Sequence, residues 1–343
     1  MSVRAVGNAG SGEGSGNGSG AGRERPRVAM VFPGQGAQQT GMAVGLYEAD
    51  PGFRARMDEV FALWGAEGDA VRRDWLAPRP VLPLDDLRRA QPLLFAVGWA
   101  LGQTVSDWGV RPAAVLGHSV GEVVAAVFAG VLALPDAAAL LAERVRHLAD
   151  APPGGMVAVA ASEEQVLPLL APGVVVGAVN GPRQVVVAGA EGPLARTEQA
   201  LSANGLRFRR ARTTSAFHSP VVAAASARSL PALRATPLRP PALPLVSGYT
   251  GTFLTDRQAV DPEFWVGQPA APVRYAQALD RLLSTGPYLL LETGPGQSLT
   301  MLAKRHRAVR PGGSTALALL PAKPASGAAE SAALHAARAA LAS

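Results

Sequence analysis

The fold of this chain is decided by one stretch, Val115-Leu116-Gly117-His118-Ser119-Val120-Gly121-Glu122. An apolar run leads into it, and an apolar run compatible with a helix follows it. Its middle reads Gly-x-Ser-x-Gly, the nucleophile elbow, in which a serine sits on a sharp turn between a strand and a helix. The two glycines let strand and helix pass closely, and the serine is held in a strained backbone geometry.

Ser119 is therefore predicted to be a nucleophile at a helix N-terminus. Free backbone N–H groups at that position can receive a developing oxyanion. The alternative interpretation is a serine in an ordinary turn between a strand and a helix. The strand before and the buried helix after favour the elbow.

Composition bounds the class of protein. A chain of 343 residues with 48% hydrophobic and 17% charged residues is typical of a globular protein, and it is long for one domain. The absence of cysteine excludes disulfides, thiolate chemistry and cysteine-based metal sites. The net charge of +6, from 32 Lys and Arg against 26 Asp and Glu, suggests an anionic partner.

Two partners are disfavoured by the same composition. Aromatic residues make up only 5% of the chain and do not alternate with basic ones, which argues against nucleic acid. No apolar run reaches the length of about 18 residues that a membrane span needs. The N-terminus lacks the hydrophobic core of a signal peptide, so a cytoplasmic protein that does not engage a membrane is expected.

The pattern of elements predicts an insertion in a larger domain. Residues 1–26 are rich in Gly and Ser and are expected to be a disordered tail. Residues 27–154 and 215–321 form the predicted α/β core. Between them, residues 155–214 show the order βαββαβ, which is typical of a ferredoxin-like fold. Residues 322–343 are Ala-rich and predict a short loose helix or a frayed tail.

A glycine-rich loop, Gly34-Gln35-Gly36, follows the first predicted strand, Arg27 to Phe32. Such a loop suits a close approach of backbone to a ligand, but no Gly-Lys-Ser/Thr follows, so it is not a P-loop. Gln35 is either a donor at the site or part of a surface turn. Pro92 is expected at the first position of a helix, which would begin near Gln91.

A serine nucleophile needs a base within hydrogen-bond reach. The chain has five histidines: His118, His147, His218, His306 and His335. His118 adjoins Ser119, and adjacent side chains on an elbow diverge, so it is expected to support the turn. Two others lie on helical segments without a supporting motif, which leaves His218 and His306. His218 lies where the insertion rejoins the core; the alternative there is a core histidine with satisfied hydrogen bonds.

Several motifs in a fixed order carry a resemblance to a known family: Gly34-Gln35-Gly36, the elbow, Arg144, Ala216-Phe217-His218-Ser219 and Gly294-Pro295-Gly296. Over residues 28–310 the chain resembles the malonyl-CoA:acyl-carrier-protein transacylase family, including acyltransferase domains of polyketide synthases. The elbow and the segment 91–97 most resemble the polyketide branch. A stand-alone chain would resemble the discrete, trans-acting members of that branch. The resemblance implies an α/β-hydrolase-like core with a parallel sheet and an inserted ferredoxin-like subdomain.

The resemblance also implies a mechanism. Ser119 would carry the acyl group as an ester, and His218 would act as the base. The position that matches Gln268 orients the histidine through a backbone carbonyl. The backbone N–H groups of Val120 and Gln35 would form the oxyanion hole, each worth about 3 kcal/mol in the transition state.

Substrates and partners follow from the same resemblance. The resemblance implies a ping-pong reaction. An acyl unit would pass from acyl-CoA or an acyl-carrier to the phosphopantetheine thiol of an acyl carrier protein. No bound cofactor and no metal are expected, and the protein is expected to be a monomer. Carrier proteins are acidic and CoA bears phosphates, so basic side chains could steer them electrostatically. The candidates, which could equally be a solvated face, are Arg207, Arg209, Arg210, Arg212, Lys304, Arg305 and Arg307.

The acyl group is indicated by a few residues. Arg144 matches the arginine that holds the free carboxylate of malonyl-type substrates, and a guanidinium binds a carboxylate bidentately. Gln91 matches a glutamine that lines the site, and Phe217 favours malonyl over methylmalonyl. Ser215 stands where malonyl-type members have His and methylmalonyl-type members have Tyr. Gly267 and Ala270 replace residues that are commonly basic, and an unusual acyl or aminoacyl group is the alternative.

Three rival functions use the same chain differently. An α/β-hydrolase esterase would pair Ser119 with Glu292 and His306 in the order serine, acid, histidine. An acyl hydrolase of the same fold would pass the acyl group to water. A scaffold bound to a synthase would need none of these groups.

Overall fold

The structure is a computed structural model that describes residues 27–342, so the tail predicted over 1–26 lies outside the described residues. The strands are β1 Val28–Phe32, β2 Ala114–Gly117, β3 Gly154–Val159, β4 Val175–Gly181, β5 Gln184–Ala190, β6 Phe208–Arg210, β7 Leu245–Ser247, β8 Thr252–Phe253, β9 Leu289–Glu292 and β10 Thr315–Ala318.

Helices surround these strands. They are α1 Val44–Ala49, α2 Pro51–Leu63, α3 Ala66–Leu76, α4 Leu87–Asp107, α5 Gly121–Phe128, α6 Leu134–Ala149, α7 Glu163–Val166, α8 Glu191–Ala203, α9 Ala223–Ala227, α10 Leu230–Ala235, α11 Asp256–Ala259, α12 Pro262–Gly267, α13 Tyr275–Leu283, α14 Ser298–Ala303 and α15 Gly327–Ala342. Short 3-10 turns lie at Leu167–Leu169, Pro220–Val222 and Gln268–Ala270.

The larger sheet has six strands in the order β10-β9-β1-β2-β7-β8. Its first five strands pair in parallel, and the short β8 is antiparallel to β7. The strands β1, β2, β7 and β9 are buried along their whole lengths, because helices cover both faces of a parallel sheet. The predicted α/β core with a parallel sheet is confirmed.

The smaller sheet has four strands in the order β4-β5-β3-β6, and all its pairs are antiparallel. With α7 between β3 and β4 and α8 between β5 and β6, the chain order is βαββαβ. Valines that point inward from β3, β4 and β5 pack on Leu194 and Leu201 of α8 to form a core of their own. This small antiparallel subdomain is the predicted insertion.

Close packing of backbone places the elbow beside the first loop. Strands β1 and β2 are neighbours with Phe32 opposite Gly117, so both chains leave the sheet at the same edge. A Cβ on Gly34 would lie 2.5 Å from the carbonyl oxygen of His118, and one on Gly121 would lie 2.2 Å from that of Phe32. Real Cβ atoms do not approach backbone so closely, so glycine is required at these two positions.

Two helices differ from the sequence prediction. Helix α4 begins at Leu87 and not near Gln91, and Pro92 lies inside it. The Asp86 side chain caps it by accepting from the Arg88 N–H, and this cap extends the helix upstream despite the proline. Helix α15 spans sixteen residues of the Ala-rich segment and packs on α1, with the side chain of Glu330 buried between them.

Within residues 27–342, no helix combines the length and the apolar character that crossing a membrane requires.

Candidate active site

Ser119 and His218 meet at the carboxyl edge of the larger sheet. Ser119 Oγ lies 2.9 Å from His218 Nε2, a hydrogen-bond distance. Ser119 lies two residues after the end of β2, with φ of 54°, the left-handed backbone of a nucleophile elbow. His218 follows the small subdomain and lies across the cleft, 4% exposed. A serine hydroxyl and an imidazole in contact are the arrangement of an activated nucleophile.

The backbone of the segment 268–271 holds His218 in place. Its N–H donates to the carbonyl oxygen of Pro269 at 2.7 Å, and its Nδ1 lies 2.9 Å from the carbonyl oxygen of Ala271. Because a carbonyl only accepts, Nδ1 carries the proton and Nε2 presents its lone pair to Ser119. The orienting carbonyl predicted from the sequence was that of Gln268. The structure places the Ala271 carbonyl at Nδ1, and the Gln268 carbonyl acts on the same ring with a smaller effect on its pKa.

Burial is the main influence on the base. It lowers the pKa of His218 to about 4, with a smaller effect of His118 in the same direction. The backbone carbonyls of Ala271 and Gln268 act in the opposite direction. The imidazole is therefore neutral at pH 7 and able to accept a proton from Ser119.

Two backbone N–H groups near Ser119 are free to bind an oxyanion. Within the described chain, the N–H groups of Val120 and Gln35 donate to no other group. The Gln35 side chain is held on both sides: its Nε2 donates to the carbonyl oxygen of Asp85 at 3.1 Å, and its Oε1 accepts from Gln91 Nε2 at 3.3 Å. Gln91 thus braces the glycine-rich loop.

His118 does not reach the nucleophile. Its Nε2 contacts Oδ1 of Asn180 at 2.8 Å, and Asn180 lies on β4 of the small subdomain. This contact links the elbow to the inserted sheet. Asn180 is a site residue that sequence reasoning missed, and its position at the end of an inserted strand was no signal by itself.

A cavity of about 180 Å³ opens over the dyad. Its lining includes several of the predicted residues: Gln35, Gln91, His118, Ser119, Phe217 and His218. Arg212, from the predicted basic face, also lines it. Ser215 is buried outside this lining, where it pairs with Pro153 at the base of the insertion.

Arg144 lies beside the dyad but outside the open cavity. Its Nη2 donates to the carbonyl oxygen of Trp265 at 3.1 Å, and no carboxylate among the described residues lies within ion-pair distance. Burial lowers the pKa of Arg144, and the nearby Tyr249 and Glu122 act against that shift. Its charge in turn lowers the pKa of His218, so the two groups are close enough to interact.

Tyr249 is a further residue that the sequence analysis missed. Its ring centroid lies 5.9 Å from that of His218. Burial raises the pKa of its phenol, and Glu122 adds to that shift, whereas the Arg144 charge and the Ser119 hydroxyl act against it. The phenol therefore stands next to both the nucleophile and the guanidinium. Its place at the carboxyl end of β7, a neighbour of β2, was the available signal.

The residues of the esterase alternative are held elsewhere. Glu292 accepts from the N–H groups of Leu299 and Thr300, at 3.0 and 2.7 Å, and so caps α14. His306 Nε2 contacts Asp280 at 3.2 Å, away from Ser119. Ser119, Glu292 and His306 do not form a triad in this structure.

Comparison with known proteins identifies related sequences. Residues 29–340 match the family described as the acyl transferase domain. A phenolphthiocerol/phthiocerol polyketide synthase chain of Mycobacterium tuberculosis is 40% identical over 82% of this chain and 19% of its own length. The spectinabilin polyketide synthase system protein NorB of Streptomyces orinoci is 36% identical over 85% of this chain and 14% of its own length. The chain thus spans a fifth or less of these relatives.

Solved structures share the same architecture. The acyl transferase domain of SpnD, in complex with 2-(pent-4-yn-1-yl)malonyl, superposes with a TM-score of 0.86 at 35% identity, covering 93% of this chain and 76% of that one. The malonyl-CoA:acyl carrier protein transacylase of Xanthomonas oryzae superposes with a TM-score of 0.76 at 30% identity, covering 91% of this chain and 98% of that one.

Proposed function

Because this chain belongs to the acyl transferase domain family, we propose that it moves an acyl unit from a thioester of CoA or of a carrier protein to the phosphopantetheine thiol of an acyl carrier protein. Ser119 carries the unit as an ester between the two steps. The observation that carries this proposal is the contact of Ser119 Oγ with His218 Nε2 at 2.9 Å, on a ring whose Nδ1 is held by the Ala271 carbonyl.

Acylation uses the geometry around Ser119. His218 Nε2 takes the hydroxyl proton as Oγ attacks the thioester carbonyl, and the new C–O bond forms while the carbonyl becomes an oxyanion. The N–H groups of Val120 and Gln35 receive that oxyanion. The C–S bond then breaks, and the proton on His218 passes to the departing thiolate.

Transfer to the acceptor is the same sequence in reverse. His218 takes the proton of the phosphopantetheine thiol, the sulfur attacks the Ser119 ester, and the Oγ–acyl bond breaks. The proton returns to Ser119 Oγ, and the enzyme is unchanged. A ping-pong order follows, because both thioesters use one site.

The acyl unit that we propose is malonyl. Arg144 supports it, since it is a half-buried guanidinium that forms no ion pair among the described residues and is suited to bind the free carboxylate of a dicarboxylic acyl group. Phe217 forms part of the cavity wall, and its bulk favours malonyl over a branched methylmalonyl group. The Tyr249 ring lies 5.9 Å from that of His218, close enough to contact a bound acyl group.

The proposed carrier partner is acidic. Arg212 lines the mouth of the cavity, and among the described residues it makes no ion pair. Arg210 is different, because it pairs with Glu191 and Glu198. Arg212 is therefore the member of the predicted basic face that is best placed to meet an incoming anionic group.

Intact-protein mass spectrometry tests the proposal. We expect malonyl-CoA to add the malonyl mass to the protein and not to Ser119→Ala, and holo-carrier protein to remove it while gaining the same mass. Loss of the mass to water at an equal rate with and without holo-carrier would instead indicate an acyl hydrolase. No added mass from any of malonyl-, methylmalonyl-, acetyl- or longer acyl-CoA and acyl-carrier donors would refute the acyl-enzyme.

A further inference from the structure

The side chain of Glu122, in the first turn of α5, is completely buried and accepts hydrogen bonds from three neighbouring groups. Its Oε1 accepts from Ser247 Oγ at 2.6 Å and from Gln268 Nε2 at 3.2 Å, and its Oε2 accepts from the Gly248 N–H at 2.7 Å. Burial raises the pKa of Glu122 to about 8, and the hydrogen bonds from Ser247 and Gly248 and the Arg144 charge offset that shift only in part. A neutral side chain is therefore favoured at pH 7, and its contacts supply the hydrogen bonds that a buried polar group requires.

One of these donors belongs to the segment that holds the base. Gln268 is 1% exposed and begins the turn that holds His218. In this turn the Pro269 carbonyl accepts from the His218 N–H, and the Ala271 carbonyl faces Nδ1. At its other end, Glu122 is fixed to the nucleophile, because its N–H donates to the Ser119 carbonyl oxygen at 2.9 Å. A continuous series of contacts therefore runs from the nucleophile through Glu122 and Gln268 to the imidazole.

We propose that Glu122 is a positioning residue for the dyad: through Gln268 it fixes the Ala271 carbonyl relative to the elbow, and so holds His218 with its proton on Nδ1. The role rests on the proposed function, in which Nε2 must be free to accept the Ser119 proton. If the segment 268–271 shifts, the ring loses its acceptor and can place its single proton on Nε2, where it cannot act as a base.

The chain offers variants that separate this role from general stability. Gln268→Ala and Ser247→Ala each remove one donor from the same oxygen of Glu122, but only Gln268 leads to His218. Glu122→Gln removes the ionisable group and can keep all three contacts. Its oxygen can accept from Gly248, and its amide can donate to Ser247 and to Gln268 Oε1, which has no hydrogen-bond partner among the described residues.

The test uses ¹⁵N chemical shifts of the His218 ring in the full chain, together with the rate of Ser119 acylation by malonyl-CoA. In the wild type and in Glu122→Gln we expect a ring protonated on Nδ1. In Gln268→Ala we expect a mixture of tautomers and at least a 10-fold slower acylation, a readout that lost stability alone does not give. Ser247→Ala should lower the melting temperature and leave the tautomer unchanged.

The role is overturned if Gln268→Ala keeps the Nδ1 tautomer and the wild-type rate, or if Ser247→Ala changes both as much as Gln268→Ala does. Should Ser247→Ala fail to fold, the comparison of Glu122→Gln with Gln268→Ala decides in its place. The ring shifts need no substrate. A wild-type protein that gains no acyl mass would therefore contradict the proposed function, whereas the tautomer result would still decide the positioning role.

Discussion

Ser119 and His218 contact each other at 2.9 Å, and both have left-handed backbones, with φ of 54° and 61°. For residues other than glycine this conformation costs about 1–2 kcal/mol each, so the surrounding structure must impose it. Beside Ser119, the Gly121 backbone passes close to that of Phe32. The His218 N–H donates to the carbonyl oxygen of Pro269. The approach of the dyad is therefore set by backbone packing rather than by the two side chains.

Removing either member of the dyad tests the proposed chemistry. Ser119→Ala should gain no acyl mass from malonyl-CoA. His218→Ala should form the acyl-enzyme about 10²- to 10⁴-fold more slowly, which is the usual contribution of a general base. His306→Ala is the control, because its ring lies away from the nucleophile against Asp280. A loss in the control with an unimpaired His218→Ala would contradict the assignment of the base.

Removing the Arg144 guanidinium tests the acyl group. Arg144→Ala should slow malonyl loading by about 10- to 100-fold, since a charge-assisted hydrogen bond is worth about 1.5–3 kcal/mol, and should improve acetyl loading relative to malonyl. Arg146→Ala on the same helix is a matched control, because the Arg146 side chain is exposed and its ion pair with Glu67 is long, at 3.9 Å. Equal malonyl loading in Arg144→Ala and the wild type would show that the carboxylate binds elsewhere.

The pH dependence of acylation reports the state of His218. Burial lowers its pKa to about 4, and only the neutral imidazole can take the Ser119 proton. The rate of acylation should therefore persist through pH 6 and fall as the pH drops towards 4, measured by rapid quench and mass spectrometry. A fall centred near pH 6.5, the ordinary value for histidine, would mean that the ring is exposed to water.

Helix α15 should contribute to stability through Glu330. Its carboxylate accepts from the N–H groups of Ala43 and Leu46 at 2.7 and 3.2 Å. Glu330→Ala leaves these buried donors without an acceptor, and the free energy of unfolding should fall by about 1–3 kcal/mol in denaturant titrations. His335→Ala, at an exposed position of the same helix, should change it little. Equal stability of the two variants would show that α15 does not depend on this contact.

The sequence located the dyad but not its support. Gly117 and Gly121 mark a turn whose geometry depends on neighbouring residues, so it is visible in a short stretch. The Ala271 carbonyl is different: any residue provides a carbonyl, and only the path of the 3-10 turn decides which one faces His218. The sequence therefore indicated Gln268 and missed Ala271, whose carbonyl lies 2.9 Å from Nδ1. Pro92 is a similar case. The sequence predicts it at the start of a helix, but the helix begins earlier, at the Asp86 cap, and Pro92 lies inside it.

The amino-acid sequence by itself determined the α/β core, the inserted βαββαβ subdomain and the elbow serine, because periodicity and glycine spacing are local properties. Tertiary structure decided which groups meet Ser119. Asn180 comes from the insertion, Tyr249 follows β7, and the Glu122 carboxylate is bound by donors from two distant segments. Such contacts depend on how parallel strands are ordered in the sheet. That order brings together residues that lie far apart along the chain, and no regular spacing in the sequence predicts which of them will meet.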